Sequence, residues 1–355
     1  MAQTDRPARR EAQRRVATAP PGTRSRRAER ERRRRRTAWI TAVALTAVLV
    51  GAAVATVVAT GGRSGSNGSG APPSLTVQTL LHLQAASSVV TGATPSVGYA
   101  TDDRRDLVVR FDPRTGRVSA TAAVLDRPAA MVRLGGDLWV AEAVRNTLIE
   151  VDARSLRAVR SVPVPAGPAS LAVFRGDIWV TSVMAGEVTS VDPRTGTAGT
   201  PVDVPGGAVR VAAGFGALWV TDAQDRVHRY VPATARTPEP VLEGITVGTG
   251  PIGVATGVGS VWVANARAGT VSQVDPSTLR VVHTYRVGGE PSSVAVAGGR
   301  VYVGDGAART VRTVYPAPAS TAYAVGTTPR QLVPAGAEVW VAGADPGRVL
   351  AVGTR

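Results

Sequence analysis

The side chains able to do chemistry in this chain are few and skewed in type. Histidine occurs three times, at His82, His228 and His283; cysteine is absent, and all 41 basic residues are arginine. Without cysteine there is no thiolate nucleophile, disulfide framework, zinc finger or cysteine-held iron–sulfur cluster. A metal site built on several histidines would use nearly the whole supply. The Gly-x-Ser-x-Gly elbow, the P-loop and the His-Glu-x-x-His zinc motif are all missing. The acidic cluster Asp102, Asp103, Asp106 carries enough oxygen for Ca²⁺ or Mg²⁺. Arg104 and Arg105 sit inside it and compete for the carboxylates, so no metal is expected there.

What remains is a set of polar side chains that recurs along the chain. It comprises Asp102, Asp103 and Arg105; Glu142 and Arg145; Asp222 and Arg226; Asn265 and Arg267; Asp305 and Arg309; and Asp345 and Arg348. Each group follows an aromatic residue by a few positions. Those aromatics are Tyr99, Trp139, Trp219, Trp262, Tyr302 and Trp340, with Trp179 completing the register; their spacings are 40, 40, 40, 43, 40 and 38. The chain has only 15 aromatics, so seven in one register mark a repeat. Pro128, Pro168, Pro251, Pro291 and Pro329 each open a unit, and Asp-Pro turns recur 12–13 residues after the aromatic.

Each unit has room for four short strands. In the fifth, PIGVATG, SVWVAN, TVSQVD and RVVHTYRV are separated by turn residues. Four antiparallel strands in about 40 residues is the arithmetic of a propeller blade. The aromatic lies on the second strand, where it can fill the space between blades. The last unit holds three strands, and an orphan stretch at Ser74–Leu83 precedes the first. The expected fold is therefore an all-β, seven-bladed propeller over 75–355, closed when the orphan stretch supplies the outer strand of the last blade. This places the recurring polar residues in loops around one mouth of the ring. Guanidinium forks interleaved with carboxylates there suit an anionic or mixed-charge partner, such as an envelope protein or polymer. The alternative is that they are ordinary solvated turns.

The units PASLAVFRGDIWVTSVMAGEVTSVDPRTG and PIGVATGVGSVWVANARAGTVSQVDPSTLRVVHTYRVGGEP resemble the YVTN-type repeats of YncE-like β-propellers. They are also similar to repeats of the streptogramin (virginiamycin B) lyase group. The resemblance covers essentially all of 75–355. It implies the fold strongly and the function weakly, because such propellers range from lyases to proteins of unknown role. A lyase would imply a histidine base, a nearby glutamate and bound magnesium at the mouth. No catalytic residue carries over: His82 and His283 fall on outer strands and His228 on a third strand. The DPRTG copies at Asp112–Gly116 and Asp192–Gly196 echo quinoprotein repeats. Those repeats continue into a tryptophan; here Arg117-Val118 and Thr197-Ala198 follow, so no quinone, and no other cofactor, is expected.

The charge is concentrated at the N-terminus. Residues 1–36 hold 14 Arg and four acids, a net of +10 of the chain's +15. This segment has no apolar periodicity and is expected to be disordered, with the 1–37 tail cytoplasmic. Residues 38–60 form an uncharged run of 23 residues, about 34 Å as helix, enough to span a bilayer core of about 30 Å. Arg32–Arg36 beside it places the N-terminus inside and the propeller outside the cytoplasm. A cleaved signal peptide is the other reading, with Ala53-Val54-Ala55 as a cleavage pattern. Residues 61–74 are a Gly/Ser tether. Nucleic-acid binding is not expected, since the arginine tail lacks interleaved aromatics and abuts the membrane. The leading expectation is a membrane-anchored binding, scaffold or sensor module of bacterial origin. The alternative is a metal-dependent lyase or hydrolase with its site at the channel mouth.

Overall fold

The computed structural model describes residues 75–94, 96–123, 126–234, 239–316 and 322–354. The expected tail, membrane helix and tether lie outside the described residues. Every regular element that is described is a β-strand, and the strands form seven antiparallel sheets. Six sheets run in chain order from an innermost to an outermost strand. Their innermost strands are Ala86–Thr91, Pro128–Leu134, Pro168–Phe174, Ala208–Gly214, Pro251–Gly257 and Pro291–Ala297, in blades 1 to 6. Blade 7 begins with Pro329–Ala335, continues through Glu338–Ala344 and Gly347–Thr354, and ends on Leu75–His82 from the other end of the chain. That closing strand pairs from Leu75 opposite Thr354 to His82 opposite Arg348. Each innermost strand packs against the innermost strands of both neighbouring blades, the last against the first, so the ring is closed around an axial channel.

The hydrophobic core is divided among the blades. Seven apolar clusters occupy the seven junctions, and each is centred on the second-strand aromatic of one blade packed against the next. Tyr99 packs on Met131, Leu138 and Val140; Trp139 on Leu171, Ile178 and Val180. Trp179 meets Val211, Leu218 and Tyr230; Trp219 meets Val261, Val263 and Val274. Trp262 contacts Val294, Val301 and Val303; Tyr302 contacts Leu332, Val339 and Val341. Trp340 closes the cycle on Val89, Ala100 and Phe111 of blade 1, where Leu80 and Leu81 of the closing strand join it. All seven aromatics are buried. Period-2 alternation puts the residues flanking each aromatic on the opposite face, where they meet the aromatic of the preceding blade.

The strands of blade 5 match the sequence expectation, with the fourth one residue shorter at Arg280–Arg286. Two outer strands are weaker than expected. Blade 3 has only Thr197–Ala198 and Val202–Asp203, both paired with Glu187–Asp192 and interrupted at Gly199–Pro201. Pro201 has no N–H for the ladder, and glycine has no side chain to pack. Blade 6 ends on Tyr323–Ala324.

The turn after the third strand is held by an aspartate that folds back on its own backbone. Asp275 accepts from Ser277 N–H at 2.8 Å, Ser277 Oγ at 2.6 Å and Thr278 N–H at 3.1 Å. Asp152 and Asp192 repeat this with Ser155 and with Arg194 and Thr195. These hydrogen bonds hold all three carboxyls below the ordinary aspartate value. A depressed folded-state pKa contributes stability above the unfolded value, and that contribution is lost as pH falls through the folded value. Asp275→Asn should therefore lower the melting temperature at pH 7, with the difference shrinking as pH falls below the ordinary aspartate value. Thermal melts of both proteins across pH 2–7 check this; a pH-independent difference would contradict it.

Candidate binding face

The second-strand residue that faces the first residue of the inner strand is equivalent in all seven blades; it ends the second strand in blades 1 to 6 and is next to last in blade 7. Asp102 lies opposite Ala86, Glu142 opposite Pro128, Ser182 opposite Pro168 and Asp222 opposite Ala208. Asn265 lies opposite Pro251, Asp305 opposite Pro291 and Gly343 opposite Pro329. The structure thus brings five of the sequence-derived site residues into one ring, and all five are buried.

Their partners belong to the fold. Asp102 Oδ2 accepts from Gln84 N–H at 2.9 Å, and its Oδ1 from Ala85 and Arg104 N–H, both at 3.3 Å. Asp305 accepts from Glu290 N–H at 3.1 Å and Ala308 N–H at 2.8 Å. Asp222 Oδ1 accepts from Gln224 and Arg226 N–H at 3.0 and 2.9 Å, while its Oδ2 lies 3.1 Å from His228 Nε2. Thr147 Oγ1 donates to Glu142 Oε2 at 2.6 Å. Asn265 Nδ2 donates to Thr270 Oγ1 and Ser272 Oγ at 3.1 and 2.9 Å. Glycine lets the carboxylate come this close: Gly206 has φ 87°, and a Cβ there would lie 2.7 Å from Asp222 Oδ2. Asp102 and Asp305 thereby clamp the incoming inter-blade turn to the turn between strands two and three. Hydrogen bonds to such charged acceptors contribute about 1.5–3 kcal/mol each.

The arginines of the same loops remain at the surface. Arg145, Arg226 and Arg309 are 66%, 51% and 48% exposed. Their ion pairs with Asp126, Asp225 and Asp345 are long, at 3.7, 3.9 and 3.5 Å, and such pairs contribute about 0–1 kcal/mol. Arg105 and Arg267 are also exposed, and Asp345 is 63% exposed. Arg105 lies against the side-chain amide of Gln84, whose oxygen can accept from its Nη2 and Nε at 3.1 and 3.2 Å. Arg348 is the exception: it is half-buried on the third strand of blade 7, opposite Gly343 and the closing-strand His82.

Three further cations lie on inner strands: Arg133, next to last in blade 2, and two nearer the start of theirs, Arg330 and Arg210. Arg330, the second residue of the blade 7 inner strand, donates to Asp103 Oδ2 at 2.7 Å. Arg210 is the third residue of the blade 4 inner strand. It is enclosed by the ring yet partly accessible, and its guanidinium reaches only the backbone oxygen of Val209, at 3.4 Å. Among the described residues no carboxylate pairs with it. Burial, with the nearby charge of Arg330, holds its guanidinium below the ordinary arginine value. Sequence reasoning missed Arg210. The available signal was the one charge in the inner strand AVRVAAG, at a position where the other blades carry the uncharged Ser88, Ala130, Ser170, Gly253, Ser293 and Gln331.

The three histidines are far from forming a cluster. His82 is on the closing strand, and His283 is exposed on the outer strand of blade 5, stacked edge-on against Tyr285. His228 is 2% exposed on the third strand of blade 4. Its contact with Asp222 follows from register: His228 lies opposite Val220, placing Asp222 diagonally adjacent on the same face. Among the described residues no group of three or more His, Asp or Glu side chains is placed to hold a metal ion.

Neither a protein-family model nor a curated protein matches the chain's sequence. Solved structures do match its fold. One is a catalytically inactive histidine-to-alanine variant of virginiamycin B lyase from Staphylococcus aureus with quinupristin. It aligns over 79% of this chain and 100% of its own at 13% identity, with a TM-score of 0.69. A streptogramin B lyase aligns over 79% and 98% at 16% identity, with a TM-score of 0.67. The chain has their fold. The WD40 domain of Pan2 from Neurospora crassa also aligns, over 78% and 95% at 8% identity, with a TM-score of 0.63. Propellers of quite different description therefore share this architecture, and the likeness extends to the fold alone.

Proposed function

We propose that this chain is a membrane-anchored binding module, held through residues 38–60, with its propeller outside the cytoplasm. Its mouth docks an anionic envelope protein or polymer. The supporting observation is the division of labour at the mouth. The carboxylates of Asp102, Asp222 and Asp305 and one oxygen of Glu142 are turned into hydrogen bonds within the fold, while Arg105, Arg145, Arg226, Arg267 and Arg309 face solvent. Exposed guanidinium forks held only by long, solvent-screened ion pairs favour carboxylate- or phosphate-bearing partners. The lyase alternative draws on the fold likeness, but His82 and His283 sit on outermost strands and His228 is enclosed beside Asp222.

Two measurements test the proposal. Cell fractionation with external protease should leave the full chain in the membrane fraction and its propeller reachable from outside. The full chain in mild detergent should then retain an envelope component at low salt and release it at high salt, because exposed charges are screened beyond about 10 Å at 0.1 M. A chain found in the soluble cytoplasm, or a salt-insensitive interaction, would overturn the reading.

A further inference from the structure

In three of the seven blades the third residue of the inner strand accepts a hydrogen bond from the next blade. Ser88 Oγ accepts from Met131 N–H in the next blade at 3.1 Å. Ser170 Oγ accepts from Val211 N–H at 3.3 Å, and Gln331 Oε1 from Val89 N–H at 3.0 Å. Each recipient N–H belongs to the fourth residue of the neighbouring inner strand. Arg210 holds this third position in blade 4, and Val254 is the fourth residue of blade 5, in register opposite Val263 as Val211 is opposite Val220. Arginine has five donors and no acceptor. Among the described residues no side chain accepts from Val254 N–H. Donors therefore converge at a position where blades 1, 3 and 7 place an acceptor; Ala130 and Gly253 leave it neutral in blades 2 and 5, and Ser293 Oγ of blade 6 has no hydrogen-bond partner among the described residues. Arg210 has no carboxylate partner there, and Arg330 adds a second positive charge. A charge partly withdrawn from water without a counter-charge is costly to a fold.

We propose that the axial channel holds an oxyanion, a phosphate or a carboxylate, bound between the guanidinium groups of Arg210 and Arg330 and supplying the acceptor that blade 4 lacks. The planar fork of Arg210 offers two parallel donors to such a group, and Arg330 is steadied by Asp103 at the channel rim. This deepens the docking reading by naming the chemistry at the centre of the mouth. It is measured on the isolated chain without any partner, so it stands or falls separately from partner capture.

The test uses the purified full chain in detergent at low ionic strength. Inorganic phosphate and succinate are titrated in separate arms, with sodium chloride at matched ionic strength as the control. Binding is read by calorimetry and by melting temperature. The expected result is saturable one-to-one binding in at least one arm, with a rise in melting temperature that chloride does not reproduce; the responding arm identifies the class of oxyanion. Arg210→Gln should remove the saturable response. It should also melt at or above the wild-type temperature without ligand, because glutamine can accept from Val254 N–H as Gln331 does from Val89. Arg210→Lys keeps the charge without the fork and should bind at least tenfold more weakly. Responses indistinguishable from chloride in both arms, or an undiminished response in Arg210→Gln, would overturn the proposal.

Discussion

Trp219→Ala should lower the stability of the propeller by about 3–5 kcal/mol, the cost of removing a fully buried aromatic from a packed core. Trp219 is 0% exposed, and its Nε1 donates to Gly214 O at 3.1 Å. It fills the junction between blades 4 and 5 against Ala217, Val261, Val263 and Val274. Valine and alanine side chains on two facing sheets cannot collapse into the space left by an indole, so a cavity would remain. Denaturant unfolding of the two proteins, compared at the midpoint, measures the difference. A loss below about 1 kcal/mol would mean that the junctions are not packed as described.

Asp102→Ala should cost about 3–5 kcal/mol, because it leaves three backbone N–H groups, those of Gln84, Ala85 and Arg104, without their charged acceptor. Gln84 and Ala85 lie between the closing strand and the first inner strand, so the loss falls where the ring is sealed. Asp102→Asn retains one oxygen and should lose less. The same measurement separates two roles for this carboxylate. If Asp102 served a ligand and not the fold, Asp102→Ala would match the wild type in stability and differ only in binding.

The fold was legible because its determinants are local and repeated. Seven aromatics in one register marked the second strands. The three-strand last unit and the surplus stretch before the first unit together required a closing strand, found at Leu75–His82. The outer strands of blades 3 and 6 were less legible, because outermost strands face solvent and alternation there is weakly imposed. The mouth residues were legible in composition but not in orientation. Asp102 and Asp305 are equivalent in spacing to residues that could have faced solvent. What turns them inward is the backbone N–H of Gln84 and of Glu290, 18 and 15 residues earlier, brought close only when consecutive blades pack. Arg210 escaped notice for the converse reason. A charge within an apolar run is ambiguous in sequence, and its meaning depends on the task its counterparts Ser88, Ser170 and Gln331 perform across the blade junctions.

The central claim is that the mouth's buried carboxylates serve the fold while its exposed arginines serve a partner. The most direct measurement is capture of envelope material by the full chain carrying Arg145→Glu, Arg226→Glu and Arg309→Glu together, with its melting temperature measured in parallel. These side chains are exposed and weakly paired, so the melting temperature should stay within a few degrees of wild type while low-salt capture falls at least tenfold. Undiminished capture by a folded triple variant would contradict the account.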